Sequence, residues 1–201
     1  MRVIGGALRG KRLYPLKGLT IRPTTDYLRE SIFNILAGGV EDAVVLDLFA
    51  GSGSLGIEAL SRGAATAVFV DNNPRAIKVL TRNICACSLE GRSTILKRDI
   101  LRGLSFLRSI GHLFDLVFID PPYNKGFVER TVELLHRARS TSERVCIVIE
   151  HSRREVLPEK MARLILTDRR HYGKALVSFY RPVLLGSCAK NETRPECIWQ
   201  G

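Results

Sequence analysis

Short apolar runs rich in β-branched residues recur along this chain and are separated by stretches of helical periodicity. Each run has four to six residues, which suits a strand buried on both faces. Between the runs, apolar side chains recur every three or four positions, as on one face of a helix. Strands that alternate with helices predict an α/β domain with a parallel sheet covered by helices. The runs are residues 43–48, 67–70, 93–96, 114–119 and 145–149.

The two ends of the chain carry different patterns. Near the C-terminus, residues 163–166 and 176–180 flank the turn signal Tyr172-Gly173-Lys174, which predicts an antiparallel hairpin that closes the sheet. At the N-terminus, glycines separate two short basic stretches within residues 1–14, which predicts a small hairpin. A helix is expected from about residue 24, with Thr24 or Thr25 as its N-cap.

A glycine-rich loop lies within residues 47–56, between the first apolar run and a helical stretch. Gly51, Gly53 and Gly56 have the G-x-G-x-x-G spacing of a loop that lets backbone approach a nucleotide. Asp71 follows at the end of the next run, about 20 residues on, where such folds place the acid that accepts ribose hydroxyls. The pattern predicts a cofactor that carries a nucleoside.

Asp47 narrows the choice of cofactor. A carboxylate four residues before Gly51 would repel the pyrophosphate of a dinucleotide, whereas the ammonium and sulfonium of S-adenosylmethionine would attract it. S-adenosylmethionine is therefore favoured over NAD, although Asp47 could also serve as a helix-capping carboxylate. Asp99, at the tip of the run 93–96, is either a contact to the adenine amine or an exposed loop acid.

The tetrapeptide Asp120-Pro121-Pro122-Tyr123 directly follows the buried run 114–119. In open α/β sheets ligands bind at this edge. Asp120 and a main-chain carbonyl can accept hydrogen bonds from a planar amine, while Tyr123 stacks on its ring. The turn thus predicts a nucleobase amine as substrate, with a polar structural turn as the alternative.

The charge of the chain favours a polyanionic partner. The formal net charge is +11, and residues 1–22 contain six basic side chains and no acid. Such a basic face points to nucleic acid more than to a merely soluble surface. The residues expected to contact RNA phosphates are Arg2, Arg9, Lys11 and Arg12.

The sequence has no long apolar segment and no zinc-binding cysteine spacing. No apolar run approaches the ~20 residues that a spanning helix needs, and residues 1–22 lack the apolar region of a signal peptide. We therefore expect a cytoplasmic protein. The five cysteines show no zinc spacing, so we expect reduced thiols and no metal site, with Cys146 in the core.

Four segments carry a resemblance to a known family: residues 2–11, 22–36, 47–63 and 120–123. The glycine loop and the 120–123 turn are shared by many amino-methyltransferases. The basic Gly-Gly opening joined to Arg22-Pro23-Thr24 is more specific. On these residues the chain resembles the bacterial 16S rRNA guanine-N2 methyltransferases, over roughly residues 1–185.

This resemblance implies the class I S-adenosylmethionine-dependent methyltransferase fold, a Rossmann-like sheet of seven strands whose last strand is antiparallel. It implies S-adenosylmethionine as cofactor, with 16S rRNA or a small-subunit assembly intermediate as partner and the guanine at position 966 of the usual 16S numbering as target. Asp120, Pro121 and Tyr123 are the expected catalytic residues, in a protein expected to be a monomer. The expected cofactor-binding residues are Asp47, Gly51, Ser52, Gly53, Asp71, Asn72, Asp99, Arg22 and Thr24.

We expect a basic hairpin extension at 1–22, a methyltransferase domain at 23–185 and a mobile tail at 186–201. Three other functions are weighed against this one. A DNA adenine-N6 methyltransferase uses the same turn but generally carries a target-recognition region, for which this chain has no room. An NAD-dependent dehydrogenase is disfavoured by Asp47. A catalytically silent RNA-binding module is disfavoured by the complete glycine loop.

Overall fold

The computed structural model describes residues 1–16 and 26–183. Within them, strands and helices alternate as the apolar runs predict. Each run coincides with a strand, and each predicted helical stretch contains a helix, so the α/β class is confirmed. The helices are α1 (Asp26–Leu36), α2 (Ser54–Ser61), α3 (Pro74–Ala86) and α4 (Phe127–Ala138); the strands are β1 (Val44–Leu48), β2 (Thr66–Asp71), β3 (Ser93–Lys97), β4 (Phe114–Ile119), β5 (Thr141–Ser152), β6 (Lys160–Met161), β7 (Leu164–Tyr172) and β8 (Ala175–Pro182).

The strands form one sheet in the order β3-β2-β1-β4-β5-β8-β7-β6. Strands β1 to β5 pair in parallel, and the last strand, β8, is antiparallel to both of its neighbours. The closing hairpin is therefore confirmed. The described residues form eight strands rather than seven, because Lys160–Met161 pairs with the start of β7. A two-residue strand has no periodicity by which the sequence could reveal it.

Helices cover both faces of the sheet. On β1, Val45 and Leu46 point to opposite faces, as the two-residue repeat of a strand requires. Val45 belongs to the core shared with α1, α2 and α3. Leu46 belongs to the core shared with α4 and the 3-10 turns around residues 100–110. The side chain of Asp47 therefore faces α2, which places it beneath the glycine loop.

The N-terminal segment folds back on itself and onto α2. The N–H of Val3 donates to the carbonyl of Lys11 at 2.9 Å, and the N–H of Leu13 donates to the carbonyl of Met1 at 3.1 Å. A single antiparallel bridge joins Arg2 to Arg12. The backbone N–H groups of Ile4 and Gly5 donate to the two carboxylate oxygens of Glu58, each at 2.8 Å, and Glu58 is fully buried. These two hydrogen bonds to a side chain of the helix anchor the segment to α2.

Ser61 at the end of α2 holds the next turn of the same segment. Its hydroxyl donates to the carbonyl of Gly5 at 2.6 Å and accepts from the N–H of Leu8 at 2.9 Å, while its carbonyl accepts from Ala7 at 2.7 Å. Gly6 has φ +73°, and a Cβ there would lie 1.8 Å from the Ser61 carbonyl oxygen. Only glycine fits this approach.

Several expectations fall on residues 17–25 and 184–201, outside the described part of the chain. They are the caps Thr24 and Thr25, the cofactor contacts Arg22 and Thr24, and the C-terminal tail. In the ranges that are described, the longest helix is α3, with 13 residues. No helix there is long and apolar enough to cross a membrane.

Candidate active site

The glycine loop leaves the carboxyl end of β1 in a tight left-handed path. Phe49 has φ 61°, and Gly51 and Gly53 have φ 57° and 80°. The N–H of Gly53 donates to the carbonyl of Ala50 at 2.7 Å. A positive φ is uncommon for a bulky residue such as Phe49, and strain of this kind clusters at functional sites.

Two of the three glycines lie close to side chains inside the protein. A Cβ on Gly53 would lie 2.3 Å from Leu80, and a Cβ on Gly56 would lie 2.3 Å from Phe69. These glycines seat the loop against α3 and β2. A Cβ on Gly51 would meet no heavy atom closer than 3.8 Å, so this glycine remains the place where a ligand could approach the backbone.

Asp71, at the end of β2, is joined to the loop by its carboxylate. One oxygen accepts from the N–H of Gly51 at 2.9 Å and the other from the N–H of Asn73 at 2.8 Å. Each carboxylate oxygen has a further lone pair. Asp71 therefore lies beside the first glycine and can still accept hydroxyl donors.

Asn83 of α3 also holds the loop, and the sequence reading missed it. Its amide nitrogen donates to the carbonyl of Ser52 at 2.9 Å. Its amide oxygen accepts from the N–H of Tyr14 at 2.7 Å, and the same nitrogen donates to the Tyr14 carbonyl at 3.1 Å. One fully buried side chain thus fixes both the predicted cofactor loop and the N-terminal segment. A polar residue on the buried side of an amphipathic helix was the available signal.

Asp47 lies under the loop and is almost completely buried, with 2% of its surface exposed. One carboxylate oxygen accepts from the N–H of Gly56 at 3.0 Å, as a helix-capping carboxylate would. Desolvation by burial is the main cause that raises the pKa of Asp47 to about 8. A nearby cation would offset this cost.

The Asp120-Pro121-Pro122-Tyr123 turn lies beside the glycine loop. The N–H of Asp120 approaches the carbonyl of Leu48, where the loop begins, at 3.5 Å. Tyr123 is half-buried and its hydroxyl donates to Glu150 of β5 at 2.5 Å. The sequence reading missed Glu150, which is 6% exposed; an acid near the end of a buried strand was the signal that could have found it.

Three acidic side chains therefore end neighbouring strands β1, β4 and β5. The pKa of Asp120 is raised well above its ordinary value, first by burial and then by the charges of Glu150 and Asp47. Like charges at close range disfavour the ionised form. The group suits a ligand that brings N–H donors or positive charge.

A family model described as Conserved hypothetical protein 95 matches residues 1–181. The chain belongs to this family. Ribosomal RNA small subunit methyltransferase D of Escherichia coli (strain K12) is 34% identical over 181 residues, covering 90% of this chain and 89% of that protein. A Bacillus subtilis (strain 168) relative, provisionally described as rRNA methyltransferase YlbH, is 37% identical, covering 90% and 98%.

Solved structures agree with this assignment. An Escherichia coli protein provisionally described as methyltransferase yhhF is 35% identical and superposes with a TM-score of 0.79, covering 90% of this chain and 97% of that chain. The resemblance stated from the sequence is thus confirmed at the level of the family. The fold is that of S-adenosylmethionine-dependent methyltransferases.

Two of the remaining predicted cofactor residues lie at the same edge of the sheet in this family member. Asn72 follows β2 and is exposed. Asp99 follows β3; its carboxylate accepts from the N–H of Leu101 at 3.1 Å and lies 3.4 Å from Arg102. Asp99 thus caps a short 3-10 turn, and its side chain is about one-third exposed.

The predicted RNA-contacting residues lie on the surface of the N-terminal segment. Arg9, Lys11 and Arg12 are exposed. Arg2 is exposed as well but forms an ion pair with Asp26 at 3.5 Å. Within residues 1–16 and 26–183, no three His, Cys, Asp or Glu side chains lie together as metal ligands. Cys146 is buried, as expected.

Proposed function

We propose that the protein is an S-adenosylmethionine-dependent methyltransferase that modifies the exocyclic N2 amine of a guanine in 16S rRNA. One observation carries the proposal: the N–H of Asp120 lies 3.5 Å from the carbonyl of Leu48, so the 120–123 turn and the glycine loop are neighbours. We refer to the space beside both as the cleft. The similarity to relatives named for small-subunit ribosomal RNA supports the RNA target.

The residues of the cleft fit this cofactor. Asp71 has lone pairs for ribose hydroxyls beside Gly51, and the buried carboxyl of Asp47, with its pKa raised to about 8, would be stabilised by a neighbouring ammonium. When bound, S-adenosylmethionine supplies an electrophilic methyl group on a sulfonium. We assign its binding to Asp47, Gly51, Ser52, Gly53, Asp71, Asn72 and Asp99, with Arg22 and Thr24 as further contacts.

Asp120, Pro121 and Tyr123 would orient the base. Guanine N2 is a poor nucleophile because its lone pair is delocalised into the ring. Acceptors at the Asp120 carboxylate and the Pro121 carbonyl favour a pyramidal amine, and the Tyr123 ring holds the base by stacking, so positioning supplies much of the rate. The amine gives up a proton once the N–C bond forms, and the carboxylate of Asp120 is a suitable acceptor.

The guanine must be unpaired or flipped to enter the cleft. Arg2, Arg9, Lys11 and Arg12 would bind phosphates around it. The proposal includes a cytoplasmic, monomeric enzyme that acts on 16S rRNA or on an assembly intermediate of the small subunit.

The test is methyl transfer from S-adenosylmethionine to naked small-subunit RNA and to protein-bound small-subunit particles. Digestion and mass spectrometry should find one additional methyl group, as N2-methylguanosine at a single site. Asp120→Ala is the control that separates the reaction from contamination. Methylation of adenine N6 in duplex DNA instead would favour the alternative enzyme, and binding of RNA with no transfer would reject an enzymatic function.

Reversing the charges of Arg9, Lys11 and Arg12 together should weaken RNA binding, because each phosphate contact releases counterions. The slope of log affinity against log salt should become flatter by roughly three units at most. Filter binding at several salt concentrations measures this, and cofactor affinity is the internal control. Unchanged RNA affinity would assign the segment a structural role only.

A further inference from the structure

A shallow groove lies between the N-terminal segment and the outer face of α3. Its volume is about 740 Å³. On one side the guanidinium carbon of Arg82 lies 3.5 Å from the centroid of the Tyr14 ring, and Tyr14 is 41% exposed. We call this feature the α3 groove; it is lined by Tyr14, Lys78, Thr81, Arg82, Cys85 and Ala86.

The groove is held in place by buried structure. Both backbone groups of Tyr14 are bonded to the side chain of Asn83, which is fully buried. The same side chain binds the carbonyl of Ser52 in the glycine loop. The Tyr14–Arg82 pair is therefore fixed against α3 and lies one side chain away from the predicted cofactor loop.

The charge around the groove is positive. Arg75, Lys78 and Arg82 recur at spacings of three and four, so they share one face of α3, and all three are exposed. The helix contains no acidic residue. Among the described residues, neither Lys78 nor Arg82 forms an ion pair within 4 Å. Glu90 lies close enough to Cys85, which lines the groove, to raise the pKa of its thiol.

The basic face continues into the N-terminal segment. Lys11 lies close enough to the C-terminal end of α3 to act on the charge of the Cys87 thiol. Arg12 is exposed next to it. A chain of phosphates lying along this surface would meet Lys11 and Arg12 and then the α3 groove. The acidic groups recorded beside this surface are Asp26, which pairs with Arg2, and Glu90.

We propose that the α3 groove binds an unpaired RNA segment next to the methylation target, with one base on the Tyr14–Arg82 pair and its flanking phosphates on Lys78 and Arg75. This inference rests on the proposed function and adds the path of the RNA strand. A flat aromatic and guanidinium surface flanked by cations matches the face of an unstacked base and its backbone. An acidic protein would satisfy the charges but would leave the stacking surface without a planar partner.

The stacking component is tested with Tyr14→Ala and Tyr14→Phe, measuring affinity for a naked small-subunit RNA transcript. Tyr14→Ala should weaken binding about 10-fold, as for loss of one base–aromatic stack, while Tyr14→Phe should stay within about twofold because the ring remains. Arg82→Lys keeps the charge and removes the planar guanidinium, so it should also weaken binding. Equal RNA affinity for Tyr14→Ala and Tyr14→Phe would overturn the stacking role.

The electrostatic component is tested with the double variant Arg75→Gln and Lys78→Gln. Its salt slope should be flatter by roughly 1.4 units, as for two single-strand phosphate contacts. The matched control is Lys160→Gln with Arg163→Gln, which removes the same charge from exposed positions at the opposite edge of the sheet. Equal effects of the two double variants would overturn the proposal, since net charge alone would then explain both.

Cofactor affinity and thermal unfolding should be unchanged in every variant, which excludes misfolding. If the wild-type protein does not methylate small-subunit RNA, the proposed function fails. If the wild type methylates it and the groove variants bind and methylate naked RNA normally, the further inference alone fails. A defect seen only on protein-bound particles would assign the groove to a ribosomal protein and overturn the RNA proposal.

Discussion

The cleft has two halves, a proposed cofactor half around Gly51 and Asp71 and a proposed acceptor half around Asp120. The carboxylates of the two halves lie in different environments. In the cofactor half, Asp71 accepts backbone N–H groups from Gly51 and Asn73 at 2.9 and 2.8 Å. In the acceptor half, Asp120 is half-buried near Glu150, and desolvation and like charge raise its pKa well above its ordinary value. The first half is ready for neutral hydroxyls. In the second half the ionised form of a carboxyl group is unfavourable, and a ligand that brings N–H donors would stabilise it.

Asp47 lies between the halves because β1 is the strand between β2 and β4. Like the carboxylate of Asp71, that of Asp47 accepts a backbone N–H. Like Asp120, Asp47 has a raised pKa. In parallel α/β sheets the ligand crevice opens where the strand order reverses. Asp71, which accepts backbone N–H groups, lies on one side of that point. Asp120 and Glu150, which raise each other's cost of ionisation, lie on the other side.

The largest effect is expected at Asp120. Asp120→Ala removes an acceptor that positions the amine and should lower the single-turnover rate about 100-fold or more. Asp120→Asn should keep partial activity because an amide oxygen can still accept a hydrogen bond. Equal loss in both variants would instead indicate a base. Near-normal rates in Asp120→Ala would indicate that residues 120–123 are a structural turn with no role in the reaction.

Asp47 should limit the stability of the protein without ligand. Its folded pKa of about 8 lies above the usual value of 3.8, so the folded state binds more protons between these values and stability falls as pH rises from 4 to 8. Asp47→Asn keeps an acceptor for Gly56 and should raise the free energy of unfolding at pH 8 by on the order of 2 kcal/mol.

Denaturant titrations of both proteins at pH 4 and pH 8 measure the Asp47 effect. The gain in Asp47→Asn should shrink toward pH 4, where the wild-type carboxyl is protonated. The same gain in the free energy of unfolding at both pH values would show that the gain comes from packing and not from the charge of Asp47.

The cofactor half is tested with Asp71→Ala. Loss of a charged acceptor should reduce S-adenosylmethionine affinity by about 1.5 kcal/mol, roughly 10-fold. Calorimetry measures this, with Glu129→Ala on the exposed side of α4 as a control. Unchanged affinity, or tight binding of NAD, would contradict the assignment of this half.

The smallest effect is expected for Glu150→Gln. The amide oxygen can still accept from the Tyr123 hydroxyl, so the rate at pH 8 should stay within about threefold. Removing the negative charge should lower the pKa of Asp120, and the acid limb of the pH–rate profile should move to lower pH. An unmoved limb would show that Glu150 does not set the charge of the acceptor half.

Much of the fold could be predicted because its signals are local. The runs at 43–48 and 114–119 coincide with strands since strand periodicity is readable within a few residues. The sequence does not reveal Lys160–Met161 as a strand, nor the attachment of Ile4 and Gly5 to Glu58, because both depend on partners and not on their own pattern.

The sequence by itself determined the α/β class, the glycine loop with Asp71, and the Asp120 turn, since each is a short motif next to a buried run. The tertiary structure decided which distant side chains complete them. Tyr123 and Glu150 are separated by 27 residues, and Ser52 and Asn83 by 31. Tyr14 and Asn83 are separated by 69. Contacts over such distances follow from how strands and helices pack, and no local pattern records them.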